Sequence, residues 1–226
     1  MIILIPPSEG KVSGGNLPPI KLTPTQQVMY DTLREFDGNM SKLLGVQGKA
    51  LEHAKLVNAH ILTAKTLPAI LRYSGVVYEA ISYATLSPQA QSYANEHIRI
   101  VSGLFGLITP TTTIPEYKLK IEKLGADRYY KPLIGKAIGD EFVIDLLAQA
   151  QRKAVYYKKG VRVEFIIRKN GEKKPAGHAG KTIKGKFIRW LCENQVTDID
   201  RLIEFREDGF MGRRVNNSLV EFELNV

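Results

Sequence analysis

Apolar residues open the chain in an unbroken run, Met1 to Ile5, and stop at Pro6-Pro7 before the polar stretch Ser8-Glu9-Gly10-Lys11. The run has three β-branched residues, which suits a short central strand, and it is far too short to span a membrane. Two prolines end the pairing, since neither can donate to a ladder, so the strand delivers a hydroxyl, a carboxylate and an ammonium to one sheet edge. A solvated polar turn after the strand is the alternative. Thr23 or Thr25 can cap a helix from about Gln26 to Arg34. Leu51, Ala54, Val57 and Ile61 recur at helical spacing within a second helix over Lys49 to Thr63. Pro68 to Leu71 enters a helix or turn, Gly75 to Tyr78 a loop or helix start, and Tyr93 to Ile98 a helix. A buried strand from Ile98 to Val101 then ends at Ser102-Gly103-Leu104-Phe105-Gly106. Later elements are a strand over Phe142 to Leu147, a hairpin over Val161 to Arg168 turning near Asn170-Gly171, and a basic helix over Ala179 to Asn194. The tail, Leu219 to Leu224, alternates apolar and acidic residues as an edge strand does. Strand and helix alternate with no long linker and no repeat. The pattern predicts a mixed α/β (α+β) fold: a single compact domain over residues 1–226, with a central mixed sheet and surrounding helices.

Charge narrows the partners. Thirty-two Lys and Arg against 23 Asp and Glu give a formal net charge of +9, which favours anions: nucleic acid, nucleotides or anionic surfaces. The single cysteine, Cys192, excludes an intrachain disulfide, and its apolar run, Phe187 to Cys192, predicts a buried, inert thiol. The four histidines are scattered without ligand spacing, so neither a metal site nor a cofactor is expected. With no basic leader and no long apolar run, the expected location is the cytoplasm and no membrane partner is expected.

Several short stretches carry candidate chemistry. Gly103 and Gly106 flank an aromatic at a strand end and permit close backbone approach, while Ser102, Tyr117 and Lys118 offer a hydroxyl, a phenol and a cation. A tight structural turn is the alternative there. Gly177-His178-Ala179-Gly180-Lys181-Thr182 imitates a phosphate loop, but Pro175 occupies the first glycine position and a polar hairpin stands where a strand is required, so an ATPase is not expected. Instead Lys181, Lys184 and Arg189 or Lys186 share part of a helix face that suits a phosphate backbone, or is simply solvated. Leu44-Gly45-Val46-Gln47-Gly48-Lys49-Ala50 resembles a helix-hairpin-helix turn, with its glycines one residue too far apart.

In order, Ile-Leu-Ile-Pro-Pro-Ser-Glu-Gly-Lys, Gly75 to Tyr78, Ser102 to Gly106 with Pro110, Tyr117-Lys118-Leu119, then Lys181, Lys184-Gly185 and Arg189 resemble the YaaA family of peroxide-stress proteins over nearly the whole chain. The resemblance implies a compact mixed α/β fold with a helix-hairpin-helix-like element and a positive cleft, and a cytoplasmic role in limiting oxidative DNA damage. DNA, duplex or junction, is then the expected partner, bound with little sequence preference through Lys49, Lys181, Lys184 and Arg189. The other reading is an enzyme acting on a nucleotide, nucleobase or damaged DNA base. Its catalytic groups would be Glu9, Tyr78 and Tyr117, with Ser8, Lys11, Ser102 and Lys118 binding the ligand. Two departures stand out. Many family members carry Asn-Leu-Ala-Ser and then an acidic-aromatic pair where this chain reads Asp145-Leu146-Leu147-Ala148-Gln149-Ala150-Gln151, and Lys118 stands where arginine is common.

Overall fold

A computed structural model of the chain describes residues 1–225. The first half contains β1 (Ile2–Ile5), α1 (Pro24–Arg34), α2 (Met40–Leu44), α3 (Gly48–Ala59), β2 (Leu67–Pro68), α4 (Ala69–Arg72), α5 (Val76–Ile81), α6 (Pro88–His97), β3 (Ile98–Ser102), β4 (Gly106–Ile108) and β5 (Thr113–Ile114). There follow α7 (Ala126–Ile138), β6 (Phe142–Asp145), α8 (Gln149–Arg152), β7 (Lys159–Lys169), β8 (Glu172–Pro175), α9 (Gly177–Glu193), β9 (Arg206–Glu207), β10 (Phe210–Asn216) and β11 (Leu219–Asn225).

The opening apolar run is a central strand, buried along its length, with β3 and β6 parallel on its two sides. The main sheet runs β4-β3-β1-β6-β7-β11-β10-β9, with β8 pairing on β7. Five of these strands, β3, β1, β6, β7 and β11, are mutually parallel. Numbered by their own succession they lie in the order 2-1-3-4-5, so the path reverses direction between β1 and β6. A doubly wound sheet of this order opens a crevice beyond the carboxyl ends of its strands at that reversal. Pro6 and Pro7, immediately after β1, stand at its edge.

Local chemistry sets several boundaries. Thr23 caps α1, accepting from the Gln26 amide while the Gln26 side chain accepts from the Thr23 amide, and Pro24 starts the helix. Between α2 and α3 the chain turns through Gly45 and Gly48, both left-handed. The expected strand Phe142 to Leu147 ends at Asp145, because the Asp145 carboxylate caps the Leu147 amide at 2.8 Å and turns the backbone out of the sheet.

The expected edge strand Leu219 to Leu224 is instead interior to the sheet, parallel to β7 and antiparallel to β10. Its acidic residues are paired rather than solvated. Glu221, 1% exposed, meets Lys173 and Arg213, and Glu223 accepts from Arg168 Nε at 2.7 Å. Apolar residues from Ile2 to Phe222 form one continuous buried cluster. α9 packs on α5 so closely that a Cβ at Gly185 would collide with the Val77 carbonyl. Cys192 is buried in this core, where desolvation pushes its thiol up to about 12.

Candidate functional site

The crevice beside β1 is lined by Pro7 to Glu9, Lys11, Tyr117 to Glu122 and Gln151, and encloses about 90 Å³. Burial alternates through residues 117–121: Tyr117, Leu119 and Ile121 are buried, and Lys118 and Lys120 are half-exposed between them. Two backbone devices hold this wall. Asn58 of α3 clamps Lys118 through both main-chain groups, at 2.8 and 2.9 Å. Gly103 lies against it so tightly that a Cβ would sit 2.5 Å from the Leu119 carbonyl oxygen.

At the mouth, Glu9 accepts from Lys118 at 2.9 Å and pairs with Lys120 at 2.7 Å. Partial burial pushes the Glu9 carboxyl upward, but both lysines more than offset this and its pKa falls, so it stays ionised. On the floor, Lys11 lies 4.2 Å from the Tyr117 ring centroid and 5.2 Å from that of Tyr73, and donates to the Ser8 carbonyl at 3.1 Å. Desolvation, aided by the Lys118 charge, lowers its pKa to about 7 against the attraction of Glu116 and Glu9. Lys11 is therefore partly neutral near neutral pH, whereas the hydrogen bond to Glu9 raises the Lys120 pKa and keeps that side chain charged.

Behind the floor runs a buried hydroxyl chain. Tyr117 Oη lies 2.7 Å from both Tyr73 Oη and Ser102 Oγ, and Ser102 Oγ accepts from the amides of Leu104 and Phe105. Burial raises the Tyr117 phenol to about 12 and those of Tyr73 and Tyr78 well above their usual value. Tyr78 donates to the Pro6 carbonyl at 2.9 Å. Ser8, Glu9, Lys11, Lys118 and the Tyr117 ring thus meet in one crevice, whereas Tyr78 and Ser102 buttress it from inside the core.

The groups read from the basic helix lie elsewhere. Lys184, half-buried, donates to the Leu146 carbonyl at 2.5 Å, and desolvation lowers its pKa to about 8. Arg189 ties α9 to the end of α5 through Ile81 O and Thr85 Oγ1 and pairs with Glu193. Lys181 is exposed in a second groove of about 540 Å³ that also takes in Arg152, Lys173, Lys174 and Lys184. Residues 147–152, which include α8, separate the grooves, with Gln151 on one and Arg152 on the other. Arg152 is anchored on the buried Asp145 at 2.9 Å. Exposed Lys49 begins α3 beside the α2–α3 turn, and that turn reaches the crevice: a Cβ at Gly45 would lie 3.8 Å from Lys120 Nζ.

Sequence reasoning missed Lys120, although its two-residue spacing from Lys118 was visible and places both on one side of an extended segment. It also missed Tyr73, Asn58 and Gln151, and Arg72, whose buried guanidinium donates to the carbonyls of Val12, Gly14, Lys65 and Ile114 and so fixes the loop after Lys11. Nothing in the local sequence marks Tyr73, Asn58 or Arg72, and Gln151 stood out only as part of a segment that departs from the family pattern. Among the described residues, no group of three or more His, Cys, Asp or Glu could hold a metal ion, and no helix is long and apolar enough to cross a membrane.

Residues 1–214 match the family described as peroxide stress protein YaaA. A UPF0246 protein of Corynebacterium glutamicum is 33% identical over 214 residues, covering 85% of each chain. UPF0246 proteins of Streptomyces coelicolor, 31% identical over 84% of this chain and 82% of that one, and of Rhizorhabdus wittichii, 28% identical over 93% of each, are similar along comparable lengths.

Proposed function

The chain belongs to the peroxide stress protein YaaA family, and on that premise we propose that it binds DNA across the carboxyl edge of its sheet, with little preference for sequence. The observation that carries this reading is the row of cations along that edge. Lys49 stands by the α2–α3 turn, Lys118 and Lys120 at the crevice mouth, and Lys181 at the neighbouring groove, beside Arg152, Lys173 and Lys174, which pair with Asp145, Glu221 and Glu172. Cations strung along one edge match a phosphate backbone, which rewards charge and carries no sequence information. The Gly45 amide of the α2–α3 turn is committed to the Ser41 carbonyl at 2.8 Å, so this turn contributes the Lys49 cation rather than a glycine amide. Arg189 and Lys184 contribute by fixing α9 and residues 147–152 rather than by gripping phosphate.

Fluorescence anisotropy with labelled duplex and junction DNA across a salt series tests the reading. Affinity should fall steeply with salt, and Lys118→Ala/Lys120→Ala should weaken binding and flatten the log–log slope by about two. Lys158→Ala, which breaks an exposed pair with Asp140 at the opposite, amino edge, should leave both unchanged. Binding that ignores salt, or that suffers equally from the amino-edge change, would reject the proposal.

A second reading, an enzyme acting on a nucleotide, nucleobase or damaged DNA base, draws support from one feature: the ionised Glu9, the Lys11 amine and the Tyr117 ring share a single crevice. Tyr117 contributes its ring there, since its hydroxyl is committed to Tyr73 and Ser102.

A further inference from the structure

The Lys11 amine is held unlike the other cations of the crevice. Lys118 and Lys120 share the Glu9 carboxylate, whereas Lys11 donates to a neutral acceptor, the Ser8 carbonyl, and lies beneath two phenol rings. A neutral amine in this position keeps its lone pair free, because its one hydrogen bond uses an N–H. The arrangement is that of a desolvated lysine nucleophile.

We propose that Lys11 Nζ condenses with the aldehyde of a phosphorylated pentose to form an imine. The nitrogen attacks the carbonyl carbon, a C=N bond replaces C=O, and the carbonyl oxygen leaves as water carrying both protons of the neutral amine. No oxidant or reductant is consumed. Lys118 and Lys120, at the mouth, supply positive charge for the phosphate, and the Tyr117 ring supplies an apolar surface for the sugar carbons. Water has only limited access to the floor, which favours the dehydrated product. The groups facing Lys11 set its protonation: Lys118 and Arg72 oppose its charge, Glu116 and Glu9 favour it, and burial, the largest influence, brings its pKa to about 7. A phosphorylated pentose aldehyde has two sources, an abasic position in DNA and a free sugar phosphate. The inference rests on reading the crevice as a ligand site but does not require that DNA be the source.

The full chain is incubated near neutral pH with cyanoborohydride and either 2-deoxyribose 5-phosphate or a duplex carrying an abasic position, and the reduced adduct is located by peptide mass mapping. The expected result is an adduct on Lys11 in at least about tenfold excess over every other lysine, since an ordinary lysine is almost wholly protonated at that pH. Trapping on the duplex alone assigns the aldehyde to DNA, and trapping on the sugar phosphate alone assigns it to a small molecule. Either supports the imine. Lys11→Arg should abolish the adduct, and Lys158→Ala, outside the crevice, should retain both the adduct and salt-dependent DNA binding. An adduct spread evenly over surface lysines, or none at all while anisotropy still reports bound DNA, would overturn the proposal and leave the DNA reading standing. A Lys11 adduct with the sugar phosphate, in a protein that binds no DNA, would do the reverse.

Discussion

The Lys11 ammonium has one carbonyl and two aromatic faces in place of water, and that exchange opposes its charge although the rings attract cations. Linkage gives the consequence a sign. The folded pKa, about 7, lies below the usual 10.5, so between these values the unfolded chain binds more protons and stability rises with pH. The penalty for the buried charge is complete below about 7 and is relieved by about 10.5. Lys184, lowered to about 8, acts with the same sign over a narrower window. Lys11→Met should therefore stabilise the protein most at pH 6 to 7, with an advantage that shrinks toward pH 10. Urea unfolding of both proteins across that range measures it, and a pH-independent difference would contradict the account. At this scale the sequence announced the polar cluster after β1 but not its electrostatics. Ser8, Glu9 and Lys11 are legible as a motif, and so is Tyr117, but the desolvation of Lys11 also needs Tyr73, which carries no local mark, and needs both rings brought to it from distant positions in the sequence.

Gly103 shows the cost of placing a site on a wall without regular secondary structure. Residues 117–121 have no ladder to fix them and depend on the Asn58 clamp and on contact with the Gly103 backbone. Gly103→Ala should destabilise the fold by about 1–3 kcal/mol, as overpacking does, and should reduce DNA affinity by shifting Lys118 and Lys120. Calorimetry with anisotropy on the same variant checks both, and unchanged stability and affinity would mean that the wall is not positioned by this contact. Most elements were legible because they rest on local patterns: the opening run, the helix start at Thr23 or Thr25, the β7–β8 hairpin and α9. β11 was misread because acidic alternation normally marks a solvated edge. Its pairing by Lys173, Arg213 and Arg168 depends on strands that meet it only after folding.

In the whole molecule, the strand order 2-1-3-4-5 brings charged side chains from distant parts of the chain to one edge of the sheet. Loops after β1 and β6 lie on either side of the reversal, so their side chains converge, and the 117–123 segment and the α2–α3 turn add their lysines to the same edge. The class of fold followed from alternating strand and helix patterns. The identity of the strand neighbours did not, because long-range pairing leaves little trace in local periodicity. The net charge of +9 pointed to anionic partners, but which of the cations stand beside the crevice follows only from the topology. Hydrogen–deuterium exchange of the full chain, with and without a short duplex, tests the central claim directly. Protection is predicted at residues 8–11, 45–49, 117–123, 147–152 and 173–181, with little change at 138–141 and 156–160 on the amino edge. Protection concentrated on the amino edge, or none anywhere at saturating DNA, would contradict it.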